Sequence, residues 1–182
     1  MISAAVLAGG ESTRMGRDKA LLDLGGRPLV CHVLDRLRAV SDDVFVVTKR
    51  PHALDGVAVR VVTDDSDAQT PLAGIATALR TARHDHVFVC ACDMPFVSTG
   101  LVERLAQRAI GYDVAVPLRD GRPETLYAVW STDVVVHADD RAVHRVLEGM
   151  RVAWVAVDEW SDLDPTGKSF VNINTPEDLA RL

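Results

Sequence analysis

The chain has only three cysteines, Cys31, Cys90 and Cys92, and no C-x-x-C spacing. That excludes a disulfide framework and the common zinc and dithiol motifs. Cys90 and Cys92 stand two apart in an apolar run, so on a strand both face one side as small core residues. No run of about 18 apolar residues occurs, so no membrane-spanning helix is expected. Lysine is equally scarce, with Lys19, Lys49 and Lys168 the only three. With a net charge of −6 there is no excess of base to track a phosphate backbone, and a sequence-independent nucleic-acid binder is excluded. The apolar start, Met1 to Leu7, lacks a basic lead-in and stops at a glycine pair. It reads as a buried first strand and not as a signal peptide, which points to the cytoplasm.

What remains is the composition of a globular protein, 48% hydrophobic and 25% charged over 182 residues. That length suits one domain spanning residues 1–182. Short β-branched runs alternate with longer amphipathic ones, the pattern of an α/β, three-layer, Rossmann-like domain with a mainly parallel central sheet. Strands are expected at Ile2–Ala8, Val44–Val47, Val59–Val62, His86–Ala91, Asp113–Pro117, Thr125–Trp130 and Val152–Val157. Helices are expected from Pro28 to about Val40, Pro71 to about Thr81, Ser98 to near Gly111, Asp140 to Met150, and Thr175 to Leu182. Pro28, Pro71 and Pro176 sit where a helix opens, and Ser98 and Thr175 where a hydroxyl caps one.

The segment Leu7-Ala8-Gly9-Gly10-Glu11-Ser12-Thr13-Arg14-Met15-Gly16-Arg17-Asp18-Lys19 directly follows the first strand, where open α/β sheets bind ligands. Gly9 and Gly10 tolerate positive φ and let a ligand approach the backbone. Successive N–H groups in such a turn form an anion-binding nest. Arg14 and Lys19 then supply a bidentate fork and a point charge for a polyphosphate. The spacing matches neither G-x-G-x-x-G nor the Walker loop. On the residues alone, an ordinary glycine turn with two solvated cations is the alternative.

Asp93, in Cys92-Asp93-Met94-Pro95-Phe96, lies just past the His86–Ala91 run. A carboxylate at a strand's carboxyl end projects into the same crevice, and Mg²⁺ favours one or two carboxylates with phosphates and water. Asp93 is therefore the candidate ligand for Mg²⁺, and a turn or cap role is the alternative. Asp64, Asp65 and Asp67 precede Pro71-Leu72-Ala73-Gly74, where a carboxylate can accept hydrogen bonds from a ligand, and a solvated acidic turn is the alternative. Asn172 and Asn174 alternate with Ile173, so on extended backbone their amides share a side. Asn174 alternatively caps the last helix.

These segments, in order, strongly resemble the L-A-G-G-x-S-x-R-M-G-x-D-K, P-L-A-G, C-D-x-P-[FY] and F-x-N-[IV]-N-T-P-E-[DE]-L motifs of nucleotidyltransferases with a nucleotide-diphospho-sugar-transferase-like fold. Among these the molybdenum cofactor guanylyltransferase (MobA) family matches best, over nearly the whole chain. The resemblance implies that Leu7, Ala8, Gly9, Gly10, Lys19, Asp64 and Asp93 bind GTP. It implies that Lys19, Arg14 and Asp93 carry catalysis with Mg²⁺ on Asp93, and that Asn172 and Asn174 close over the molybdopterin side. Gly121 to Ala128 loosely matches a segment near the pterin. Two positions depart from the pattern: Val47 stands where the family often has a nucleotide-contacting Asn, and Thr70 where Gly commonly precedes P-L-A-G. The implied reaction is GMP transfer from GTP to the terminal phosphate of molybdenum-bound molybdopterin, releasing pyrophosphate. The substrates are then GTP and molybdopterin, with cofactor-biosynthesis or acceptor proteins as partners. A cytidylyltransferase of the same cofactor, a sugar-phosphate nucleotidyltransferase and a non-catalytic GTP-binding regulatory subunit are the alternatives.

Overall fold

The computed structural model describes residues 1–9, 19–139, 142–175 and 178. Its centre is an eight-stranded sheet ordered β10-β7-β9-β6-β1-β4-β5, with β8 paired to β7. The strands are β1 (Ser3–Leu7), β4 (Asp43–Thr48), β5 (Arg60–Thr63), β6 (His86–Ala91), β7 (Val114–Arg119), β8 (Arg122–Pro123), β9 (Tyr127–Ser131) and β10 (Val152–Val155). β2 (Asp23–Leu24) and β3 (Arg27–Pro28) form a separate hairpin. The helices are α1 (Leu29–Leu37), α2 (Pro71–Thr81), α3 (Thr99–Arg108) and α4 (Val143–Leu147).

The sheet is buried on both faces, as a parallel sheet carrying crossover helices must be. One face packs Ala4, Val6, Val46, Phe88 and Cys90 against α1 and α3, through Val33, Leu34, Leu37, Leu101 and Leu105. The other packs Ala5, Phe45, Val87, Val89 and Val116 against α2 and α4, through Leu72, Ile75, Leu79, Val143 and Leu147. Alternation along β6 thus sends Val87 and Val89 to one layer and Phe88 and Cys90 to the other. Cys90 and Cys92 share one core, as their spacing implied. β9 is the antiparallel strand within this frame, against both β6 and β7. The chain returns from β7 through the short β8 turn, too short for the crossover that a parallel return requires.

β1 pairs in parallel with β4 on one side and β6 on the other. The chain runs β1-β4-β5 outward and then crosses back to β6 through α2, so the topological switch point lies between β1 and β6. There the sheet leaves a crevice at its carboxyl edge.

Several elements differ from the sequence expectation. Pro28 does not open α1; it pairs with Asp23 in β3, with ψ of 139°, and the helix starts at Leu29. The cause is the Gly25-Gly26 turn, with φ of +63° and +84°, which folds Asp23–Pro28 back as a hairpin. Within the stretch expected to be helical from Asp140 to Met150, α4 covers only Val143–Leu147, and Asp140 and Arg141 lie outside the described residues. α4 has no side-chain N-cap and runs into Gly149, whose helix propensity is low. β10 ends at Val155 and gives way to a 3-10 turn at Val157–Glu159. Most of the last expected helix, residues 176, 177 and 179–182, also lies outside the described residues.

Candidate functional site

The carboxyl edge of the sheet is stitched together by the residues that follow its strands. The Ala8 N–H donates to Val47 O at 2.9 Å, and Cys92 N–H donates to Leu7 O at 3.1 Å. Thr48 Oγ1 donates to Ala8 O at 2.9 Å, and Asp64 N–H donates to Thr48 O at 2.9 Å. Both polar groups of the Ala8 backbone are thereby engaged, and Gly9 is the first residue of the loop that faces open space. Its φ is not in the left-handed region, contrary to the conformational use expected of it. A Cβ at Gly9 would meet no atom of the described residues within 4 Å, so the backbone there is open to a ligand. Gly10 and Arg14 lie outside the described residues.

On the β6 side of β1, three of the expected residues meet. Lys19 opens a 3-10 turn, Lys19–Leu21, anchored by the fully buried Ala20. Its Nζ donates to Asn174 Oδ1 at 2.6 Å and stands 3.9 Å from Asp93 Oδ2. Asn174 is brought there because Ile173, fully buried, donates its N–H to Asp93 O at 2.8 Å. The alternation that buries Ile173 exposes Asn172 and Asn174 together. Thr175 Oγ1 accepts from Asp178 N–H at 3.2 Å, while the Asp178 carboxylate accepts from Thr175 N–H at 2.8 Å. The Asn174 amide is used on Lys19.

The Asp93 side chain is 17% exposed, and its Oδ1 is buried with no hydrogen-bond partner among the described residues. Burial pushes its carboxyl above the usual carboxylate range, against the opposing pull of the Lys19 ammonium. A buried carboxylate oxygen without a partner is costly unless a ligand completes it. Among the described residues no three His, Cys, Asp or Glu side chains gather into a metal cluster. Asp93 alone nevertheless fits Mg²⁺, which takes most of its ligands from phosphates and water.

On the β4 side of β1 lies a cavity of about 360 Å³, lined by Leu7, Gly9, Val47, Thr48, Lys49, Asp64, Gln69, Thr70, Pro71 and Gly74. Gly74 lets α2 approach β1, since a Cβ there would come within 3.2 Å of the Leu7 side chain. Thr70, the departure from glycine, caps α2 by accepting from Ala73 N–H at 3.4 Å and also donates to Ala138 O at 2.8 Å. Asp64 is buried, while Asp65 and Asp67 are exposed. Asp64 Oδ1 accepts from Ser66 N–H at 3.1 Å and Thr77 Oγ1 at 3.4 Å. Sequence reasoning missed Lys49. Its Nζ donates to Ser66 O and to Ala68 O, the latter at 2.7 Å, and stands 3.9 Å from Asp64 Oδ2. The signal was available, since a scarce lysine directly follows the second long strand.

The Gly121–Ala128 segment forms the β7–β8 turn and the start of β9. Arg119 Nε donates to Glu124 Oε1 at 2.9 Å, and its guanidinium covers the Phe170 ring at 5.6 Å. Burial raises the Glu124 carboxyl, against the Arg119 charge.

A crevice with an incomplete carboxylate and a facing cation, beside a nucleobase-sized cavity, is suited to holding a nucleotide and a divalent ion. The comparisons agree with this chemistry. Residues 4–134 match the model of the MobA-like NTP transferase domain. The chain belongs to that family. A probable molybdenum cofactor guanylyltransferase of Methanosarcina mazei is 35% identical, over 99% of this chain and 89% of the relative. Another, of Natronomonas pharaonis, is 34% identical over 98% of this chain and 95% of its own. The crystal structure of molybdopterin-guanine dinucleotide biosynthesis protein A of Archaeoglobus fulgidus superposes with a TM-score of 0.82. That match has 30% identity and covers 98% and 95% of the two chains. Family membership makes the chain a nucleotidyltransferase, and among its described residues no helix is long and apolar enough to cross a membrane.

Proposed function

We propose that this nucleotidyltransferase moves GMP from GTP to the terminal phosphate of molybdenum-bound molybdopterin. The observation that carries the reading is Asp93, a partly buried carboxylate whose buried Oδ1 has no partner among the described residues, 3.9 Å from a lysine at the switch point of the sheet. The names of relatives spanning nearly the whole chain support guanine and molybdopterin as the substrates.

In this reading the guanosine occupies the cavity between Leu7, Asp64 and Gly74, and the triphosphate runs past Gly9 towards Lys19, with Gly10 and Arg14 assigned to it on the family motif alone. Asp93 holds Mg²⁺, which when bound neutralises charge on the phosphates. Lys19 orients the triphosphate as a point charge and stabilises charge on the transferring and leaving groups. Asn174 sets the Lys19 ammonium beside Asp93, and Asn172 and Asn174 face the incoming acceptor. An oxygen of the acceptor phosphate attacks the α-phosphorus, the bond from that phosphorus to the bridging oxygen breaks, and pyrophosphate leaves with the electron pair. No protein atom bonds to phosphorus.

The test supplies GTP or CTP, labelled in the α-phosphate, together with Mg²⁺ and molybdenum-bound molybdopterin. Label entering the cofactor from GTP, with equimolar pyrophosphate, is the expected result. Preferential entry from CTP would overturn the guanine assignment. GTP binding without transfer from either nucleotide would make the chain a regulatory subunit.

A further inference from the structure

Lys49 has no part in the reaction described above, yet it is built into the wall of the cavity. An ammonium has three donors. Two go to loop carbonyls, Ser66 O and Ala68 O, which fixes the head group. No hydrogen bond among the described residues takes the third. Asp64 is complementary. Its Oδ1 is held by Ser66 and Thr77, whereas no hydrogen bond among the described residues reaches Oδ2, and Lys49 Nζ stands 3.9 Å from it. One unused donor and one unused acceptor therefore stand side by side on residues lining the same cavity.

That pair has a definite complement. Guanine presents the O6 acceptor next to the N1–H and N2–H donors on its Watson–Crick edge, so O6 suits Lys49 and N1–H suits Asp64 Oδ2. Adenine and cytosine present an exocyclic N–H₂ next to a ring-nitrogen acceptor. They would set donor against donor at Lys49 and lone pair against lone pair at Asp64. Uracil shows a carbonyl next to N–H and matches in part, with a smaller ring. We infer that Lys49, acting with Asp64, reads the 6-oxo group of the purine and is a specificity-determining residue of this enzyme. The inference rests on the proposed use of GTP and adds the contact that separates it from ATP and CTP.

Binding of GTP, ATP, CTP and 2-aminopurine riboside triphosphate is measured by calorimetry with Mg²⁺, on wild type and Lys49→Met, with the thermal midpoint of each protein. The 2-aminopurine keeps the 2-amino group and lacks O6. Wild type is expected to bind it and ATP at least tenfold more weakly than GTP. Lys49→Met is expected to weaken GTP by about ten- to a hundredfold, the value of one charge-assisted contact, and to leave 2-aminopurine within about threefold. A merely structural lysine would weaken both nucleotides alike, which would overturn the inference. Equal wild-type binding of GTP and 2-aminopurine riboside triphosphate would overturn it without any variant. Wild-type preference for CTP would instead remove the guanine reading beneath it. Should Lys49→Met not fold, the wild-type comparison of the two purines decides.

Discussion

Two carboxylates, one buried and one partly buried, stand at opposite ends of the parallel part of the sheet. At the amino end Asp43 begins β4, and both of its oxygens are taken. Ser3 Oγ donates at 2.6 Å and Arg83 N–H at 3.0 Å to Oδ2, and Arg60 Nη2 donates at 2.6 Å to Oδ1. Burial works against its charge, but the Ser3 and Arg83 hydrogen bonds and the Arg60 charge outweigh that and hold the carboxyl below its usual range. At the carboxyl end Asp93 has one oxygen without a partner among the described residues and the other 3.9 Å from Lys19, and burial raises its pKa. The same residue type is completed by the fold in one place and left for a ligand in the other. A satisfied buried charge contributes to holding the strands in register, whereas an unsatisfied one is tolerated where binding completes it.

Breaking the carboxyl end should cost chemistry and spare the fold. Lys19→Ala is expected to slow GMP transfer about ten- to a hundredfold, because the phosphates lose one cation in a partly dehydrated cleft. Its side chain is 39% exposed, so the thermal midpoint should hardly move. Transfer assays at matched Mg²⁺, with calorimetric melting of both proteins, check the pair of outcomes. A fall in stability without a fall in transfer would mark Lys19 as structural.

Breaking the amino end should do the reverse. Asp43→Asn turns an amide towards donors that now lack an acceptor. It should cost about 2–3 kcal/mol, less than a fully buried pair because Arg60 and Arg83 can rehydrate. In a chain of this size that lowers the melting temperature by roughly 5–10 °C, with transfer well below the transition unchanged. The sign with pH follows from the lowered pKa. The Asp43 contribution is full above the ordinary carboxylate range and is lost as pH falls through its lower folded value. The gap between wild type and Asp43→Asn should therefore be constant near neutral pH and close in acid. A gap that widens in acid would contradict the assignment.

How much of this was legible in the sequence follows the range of the interactions. α2 was readable because Pro71 is a local signal for a helix start that the structure uses as such, whereas the cap that Thr70 supplies was read only as a departure from glycine. β6 was readable because both faces are buried, leaving an unbroken apolar run. The Asp23–Pro28 hairpin was not, because its strands are two residues long and Pro28 also suits a helix start. Lys19, Asp64 and Asp93 could be singled out because each follows a strand or a glycine loop. Their partners could not. Asn174 reaches Lys19 across 155 positions of sequence, and the Lys49–Asp64 pair depends on where the 66–68 turn directs its carbonyls. The completed environment of Asp43 is likewise built from β1, β5 and the loop before β6, so no local pattern distinguished it from Asp42.

The most direct test of the division between the two ends is the melting shift given by GTP with and without Mg²⁺, compared in wild type, Asp93→Asn and Asp43→Asn. Ligand at about a hundred times its dissociation constant adds about 2.7 kcal/mol to the folded state, a shift of roughly 5–10 °C here. Wild type and Asp43→Asn should both show a shift that depends on Mg²⁺, from different starting temperatures. Asp93→Asn, an amide of the same size without the charge, should melt no lower than wild type and lose the Mg²⁺-dependent part. An undiminished Mg²⁺-dependent shift in Asp93→Asn, or its loss in Asp43→Asn, would contradict the assignment of Asp93 as the ligand-completed carboxylate.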